Sequence, residues 1–354
     1  MPVATDRTDT RRTREPGTPP RPLVVLASIA LAAGTGGAIW LLPPRAQGEW
    51  AAAGRRAGAG APPSGTASRP APEQAPTPAV VRPSGFVAFV DAVHDPRFNL
   101  SKAARKSRVR WFTLGHLTAG RSGCVPRWGG LQGQRRNPVA NRLGPLRAAG
   151  GDAGLAFGGP AGRELATACA DLGRLTAAYR RAIGAFDARY IDFEVHAPAG
   201  DAAVRRRARA IATLQRQAAR EGRPLTVSFT LPVTGTGLAL GDQELLRVTR
   251  AEGVEIATVN LLAPVGGSPG SGGRLHPIAS AVRAAHPQIA RSLGESAAWN
   301  RIALTPVLAR SGDLTRLDAR RLAAFTSRNN LAWLSTRGAA LAPGITRFLT
   351  GAAR

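Results

Sequence analysis

Residues 186–196 read Phe-Asp-Ala-Arg-Tyr-Ile-Asp-Phe-Glu-Val-His, and from Tyr190 onward apolar and polar side chains alternate with period two. On a β-strand, Ile191, Phe193 and Val195 face one side, and Asp192, Glu194 and His196 face the other. An edge strand with one wet face would explain such a row. The segments that follow read helix, strand, helix, strand, which makes 190–195 an interior strand of a parallel sheet, where apolar residues are expected on both faces. Three ionisable groups in a row are costly to bury without partners. The row therefore marks a candidate site.

Working outward, short apolar strands are expected at 86–91, 109–114, 153–157, 190–195, 225–231, 256–262, 302–308 and 331–335. The clearest helices between them are 172–186, 202–221 and 317–329, with Asp313 or Thr315 placed to cap the last. Eight strands alternating with helices over the 270 residues 85–354 predict an α/β fold, a (β/α)8 TIM barrel, for which about 250 residues is typical. A doubly wound open sheet is the alternative, but no dinucleotide-type glycine pattern follows the first strand.

The start of the chain is different. Residues 1–21 are polar and arginine-rich and read as a cytoplasmic tail. Residues 22–44 carry no charge and are long enough to cross a hydrocarbon core of ~30 Å as a transmembrane signal anchor. The preceding arginines favour a cytoplasmic N-terminus, and Trp40 sits like an interfacial anchor. A cleaved secretory signal is the rival, helped by the glycines at 34, 36 and 37. Residues 45–84 are mostly Ala, Gly, Pro, Ser and Arg, a disordered linker by composition. The expected location is the cell membrane, single-pass with the barrel outside, or secretion after cleavage. Cell fractionation checks this: the chain should stay with the membrane, and release of a form lacking residues 1–45 would mean a cleaved signal.

The formal charge is +26, and only Lys102 and Lys106 among the 48 basic residues are not arginine. The arginines are scattered through an Ala-, Gly- and Pro-rich chain and no basic-aromatic motif accompanies them, so nucleic acid is not the expected partner. Two cysteines exclude a zinc cage built from cysteine and a dense disulfide framework. The five histidines (94, 116, 196, 276, 286) show no metal spacing. The glycine-rich run 266–273 lacks the Lys-Ser/Thr of a phosphate loop. No cofactor or metal is expected.

Taken in order, VDAVHD, FTLGHLTAG with GCVPRWGG, LAFGGPAGRELATAC, YIDFEVH, VSFTLPVTGTGL, VNLLAPVGG, LTPVLARSGD and LAWLSTRG resemble the bacterial chitinase branch of the family 18 glycoside hydrolases, across the whole of 85–354. The resemblance implies the barrel and the hydrolysis of β-linked N-acetylglucosamine polymers, with a glutamic acid protonating the leaving oxygen and the substrate's acetamide as nucleophile. It also implies a disulfide between Cys124 and Cys169, and a glycan as partner. Trp333 matches the tryptophan flooring the family's pocket, although a core role fits it as well. Trp128 stands as a rim stacking residue or as loop filler. Asn260 and His116 are further substrate-binding candidates, and for His116 a surface loop position is the plain alternative.

The motif itself is degenerate. Laid without gaps, Asp192, Glu194 and His196 occupy the three polar places of the family's D-F-D-I-E, so a histidine replaces the acid. A second register, through Asp187, makes Glu194 the acid and Tyr190 the departure. The sixth strand's Asp and Tyr, which hold the acetamide, are replaced by Val265 and Gly266. Three functions follow as expectations: an exported, membrane-tethered, chitinase-like pseudoenzyme that binds N-acetylglucosamine-type glycans without cutting them, an active glycosidase with Glu194 or His196 as acid, or a cell-envelope scaffold. Oligomeric state is left open.

Overall fold

The computed structural model describes residues 82–196, 200–266, 273–294 and 299–351. The tail, the 22–44 segment, nearly all of the linker and most of the 266–273 run lie outside these residues. Among the described residues no helix is long and apolar enough to cross a membrane.

Strands and helices alternate along the described chain. They are β1 (Gly85–Asp91), α1 (Leu100–Ser107), β2 (Trp111–Ala119), β3 (Pro126–Trp128), α2 (Leu143–Ala148), β4 (Asp152–Gly158), α3 (Leu165–Ala168), α4 (Leu172–Phe186) and β5 (Tyr190–Glu194), then α5 (Asp201–Arg220), β6 (Thr226–Pro232), α6 (Leu240–Ala251), β7 (Thr258–Pro264), α7 (His276–Leu293), β8 (Ile302–Leu308), α8 (Arg316–Arg328), β9 (Trp333–Leu334), β10 (Arg337–Gly338) and α9 (Thr346–Leu349). Eight of the strands pair in parallel in the order β1-β2-β4-β5-β6-β7-β8-β9, and β9 pairs back to β1. The sheet therefore closes into the (β/α)8 barrel expected from the sequence. β3 adds antiparallel to β2, and β10 continues the β9 segment along β8.

Local chemistry sets the element ends. Asp171 caps α4 through a carboxylate that accepts from the Arg174 amide at 2.7 Å. Asp187 ends the same helix in the left-handed region, φ 51°, and turns the chain into β5. Thr315, not Asp313, caps α8, in a reciprocal box with Asp318. Asp313 accepts from the Ala309 and Arg310 amides instead. β2 begins later than the sequence suggested and runs five residues further, to Ala119, which places His116 on a strand rather than in a loop.

Two layers fill the molecule. Between barrel and helices, the outward faces of β4, β5 and β6 stack Phe157, Phe193 and Phe229 at ring separations of 5.5 Å, with Tyr179 of α4 edge-on to the first two. Inside the barrel, large side chains use space left by glycine on the next strand. A Cβ at Gly154 would lie 1.9 Å from the Tyr190 ring and 2.8 Å from its backbone oxygen. Gly154→Ala should therefore lower stability by roughly 1–3 kcal/mol in urea unfolding.

Cys124, just before β3, is bonded to Cys169 after α3, closing a loop of 45 residues, as the resemblance implied. Replacing both cysteines by serine should cost roughly 2–4 kcal/mol, read as a lower urea midpoint.

Candidate functional site at the barrel mouth

The polar face of β5 points into the barrel, where neighbouring strands supply partners at the same height. Asp192 is paired in register with Ser228 and Glu194 with Thr230, both on β6. Asp192 is 1% exposed. Ser228 donates a short hydrogen bond to one of its oxygens, and Thr230 donates to the other at 2.7 Å. The network continues in both directions. The Tyr190 hydroxyl meets Ser228 Oγ at 2.8 Å, Asn260 Nδ2 donates to Thr230 Oγ1 at 3.0 Å, and Thr305 Oγ1 donates to Asn260 Oδ1 at 2.8 Å. Burial raises the Asp192 carboxyl to about 7, against those two hydroxyl bonds. The negative charge of Glu194 adds to the rise and Arg337 opposes it.

Glu194 is the last residue of β5 and sits at the C-terminal rim, where barrels of this kind carry their sites. Its side chain is 4% exposed and meets three cationic or potentially cationic groups. Arg337 Nη2 donates to Oε2 at 2.7 Å, His116 Nε2 lies 2.8 Å from Oε2, and His196 Nε2 lies 2.7 Å from Oε1. Burial alone would push this carboxyl up. The Arg337 charge and the two histidine hydrogen bonds more than offset that and hold it far below the usual carboxylate range. Arg337 is itself buried and lies on the face of Phe89. Burial pulls its pKa down, with Glu194 opposing, yet an arginine remains charged in a protein.

His196 lies two residues beyond Glu194, one pleat nearer solvent, with a third of its side chain exposed. Behind it the half-buried Asp242, in the first turn of α6, is raised by burial and lowered by the nearby imidazole. The His116 ring fits because Gly159, at φ +94°, leaves room; a Cβ there would come within 2.5 Å of it. A cavity of about 740 Å3 opens here, with Asp91, His116, Pro160, Glu194, His196 and Arg337 among its walls. Asp91 closes a tight turn at the end of β1, accepting from the amides of Val93 and His94 and from the His94 ring. Across the mouth β7 ends in Pro264, followed by Val265 and Gly266, which offer no hydrogen-bonding side chain.

The other sequence candidates lie elsewhere. Trp128 is fully buried, edge-on to Phe186 at 5.8 Å, with its Nε1 donating to the Gln134 carbonyl, so it fills the loop and not a rim. Trp333 pairs with Gly85, the first residue of β1, at the end of the barrel away from the mouth, and packs with Val87 and Ala303. It is 3% exposed and does not line the mouth cavity. Asn260 is spent on the internal hydroxyl network. His116 does reach the mouth, with one ring nitrogen committed to Glu194. Arg337 was not anticipated, nor were Ser228 and Thr230. Period two from Trp333 through Ser335 to Arg337 was the signal available.

No family model matches the chain. A probable bifunctional chitinase/lysozyme of Escherichia coli is 29% identical over 180 residues, 50% of this chain but 20% of that protein. This chain thus spans about a fifth of that curated relative. Among solved structures, active domain 2 of the thermostable chitinase from Pyrococcus furiosus, a catalytic-site mutant complexed with chito-oligosaccharides, aligns over 73% of this chain and 84% of that one, with TM-score 0.63 and 22% identity. The chain is chitinase-like. A family GH18 chitinase from Cycas revoluta, complexed with allosamidin, aligns over 76% of this chain and 98% of that one at TM-score 0.55 and 9% identity, a likeness of fold alone. The chitinase-like barrel keeps a carboxylate at the end of its fourth barrel strand and surrounds it with cations.

Proposed function

We propose that this chain is an exported, membrane-tethered barrel that binds N-acetylglucosamine-type glycans without hydrolysing them. One observation carries the reading: Glu194 is clamped by Arg337, His116 and His196, whose charge and hydrogen bonds hold its carboxyl below the usual range. A leaving-group acid must hold a proton at working pH, which needs a raised pKa in a shielded pocket. Glu194 has the reverse. In the ungapped register the histidine stands where the family places its acid, and His196 lies one pleat beyond the strand end. The bare end of β7 adds a second deficit, since nothing there positions an acetamide for attack. The chito-oligosaccharide complex of the Pyrococcus domain supports the glycan as ligand.

A second reading has one observation of its own. His196 is hydrogen-bonded to Glu194 at 2.7 Å, an arrangement in which a carboxylate orients an imidazole for acid-base work. One assay separates the readings. The purified full-length chain should bind chitotetraose in calorimetry and release no shorter oligomers on prolonged incubation, and His196→Glu should not create turnover. Turnover abolished by His196→Gln would establish the histidine as the acid. Absence of glycan binding would leave a scaffold.

A further inference from the structure

On the outside of the barrel, the helices α4 to α7 pack side by side around the sheet, but α7 and α8 stand apart. They leave a groove of about 730 Å3 that starts at Gly273 and Arg274, at the mouth end, and runs along both helices. Its floor is apolar and recessed: Ile278 and Leu322 are buried and Phe325 is half-buried.

The walls are rich in arginine. Arg283 on α7 and Arg321 and Arg328 on α8 are exposed, and none of the three forms a hydrogen bond or an ion pair among the described residues. Arg274 meets only Asp313, at 3.7 Å. The carboxylate in the wall, Asp318, is spent on the Thr315 amide and hydroxyl at the start of α8. With 48 basic and 22 acidic residues, many arginines in this chain must stand unpaired. These are set apart because they converge on one recess. Like charges held close together repel, and an anion between them relieves the repulsion.

The shape selects the occupant. A bilayer surface meets side chains that protrude, and the apolar residues here are sunk below the rim. An extended peptide would leave its backbone groups unpaired, because helical walls already bond their own amides and carbonyls. A sugar chain has apolar C–H faces for the floor and polar edges for the rim. A guanidinium fork takes a carboxylate through two parallel bonds. Arg321 and Arg328 lie two turns apart on one face of α8, roughly 10 Å along its axis. That is close to the length of two sugar rings, so alternate carboxylates of an extended chain would meet them.

We propose that the groove between α7 and α8 binds an acidic polysaccharide of the uronate type, at a surface separate from the mouth. The proposal goes beyond the reading of the mouth and does not depend on it.

The test is calorimetry on the full-length chain at about 0.15 M salt, where diffuse attraction is screened. The probes are an octamer of galacturonic acid, its fully methyl-esterified form, polyphosphate of the same charge, and phosphatidylglycerol vesicles. The acidic octamer should bind, and its ester and the polyphosphate should bind about tenfold weaker or less. Arg321→Gln combined with Arg328→Gln should weaken the acidic octamer about tenfold, the loss of two exposed ion pairs. Arg105→Gln combined with Arg220→Gln removes the same charge from exposed positions on α1 and α5, and should change binding by less than about twofold. All four positions are exposed, so both variants should fold. Equal losses from the two pairs overturn the proposal in favour of attraction by net charge alone. Polyphosphate binding as tightly as the acidic octamer overturns the carboxylate. Vesicle binding lost in the groove variant while octamer binding is kept makes the groove a lipid site and overturns the polysaccharide. No binding of the octamer overturns it outright. Each of these outcomes leaves chitotetraose binding at the mouth to be judged by its own assay.

Discussion

Arg337→Met is expected to lower the unfolding free energy by roughly 3–5 kcal/mol at pH 7, the largest loss expected from one substitution at the site. Methionine replaces most of the buried volume, so the loss is electrostatic rather than a cavity. What remains is a carboxylate, 4% exposed, with two imidazoles and no fixed cation. The sign of the pH dependence follows. In the native protein the folded pKa of Glu194 lies below its ordinary value, so its contribution is fully present above the ordinary carboxylate range and is lost as pH falls beneath it. Without Arg337, burial dominates and raises the pKa, and the variant should instead lose stability as pH rises through that range. Urea unfolding at pH 4, 5.5 and 7 reads both the loss and the reversed slope. A double-mutant cycle with Glu194→Gln should show coupling of more than 1 kcal/mol. Additive losses would mean that the ion pair is incidental.

Asp192→Asn should flatten a pH slope that the native chain shows. The folded pKa of Asp192 is raised to about 7 from an ordinary value of 3.8. Between those two values the folded state holds a proton that the unfolded state has released, so stability falls as pH rises across the window and levels off above pH 7. At about 1.4 kcal/mol per pH unit, the native chain should be about 4 kcal/mol more stable near pH 4 than near pH 7.5 from this group alone. The asparagine variant removes that component while leaving the other carboxylates in place, so the difference between the two curves isolates it. Parallel curves would mean that Asp192 stays ionised in the fold.

The alternation in 190–196 was enough to place a polar row inside a parallel barrel, because period two is a property of the backbone and survives any packing. Helix 172–186 was legible as well, and the structure adds Asp171 and Asp187 at its two ends. What Glu194 touches was not. Arg337 is 143 residues away and His116 is 78 residues away, and only closure of the barrel brings them together. The aromatic candidates misled in a consistent way. Trp128 and Trp333 are large apolar side chains in a chain poor in aromatics, and the core claimed both, one beneath a loop and one at the closed end of the barrel. Asn260 reads as a ligand in a motif, yet a hydroxyl-rich interior needs an amide that can donate and accept at once.

That interior has one more property. Tyr190, Ser228 and Asp192 lie in a line, and in the first of its two contacts either hydroxyl can donate. While Asp192 is ionised, the serine must point its hydrogen at the carboxylate, and the phenol is then the donor to the serine. Once a proton sits on the carboxyl oxygen facing Ser228, the serine becomes the acceptor on that side, its own hydrogen turns to the phenol oxygen, and the phenol hydrogen is displaced. The ionisation of a side chain sealed from solvent is thereby relayed to a chromophore. The chain has two tyrosines, and the other, Tyr179, donates outside the barrel to Glu164. Ultraviolet difference absorbance of Tyr190, followed from pH 5 to 8 against a Tyr190→Phe blank, would report the charge on Asp192 without touching it.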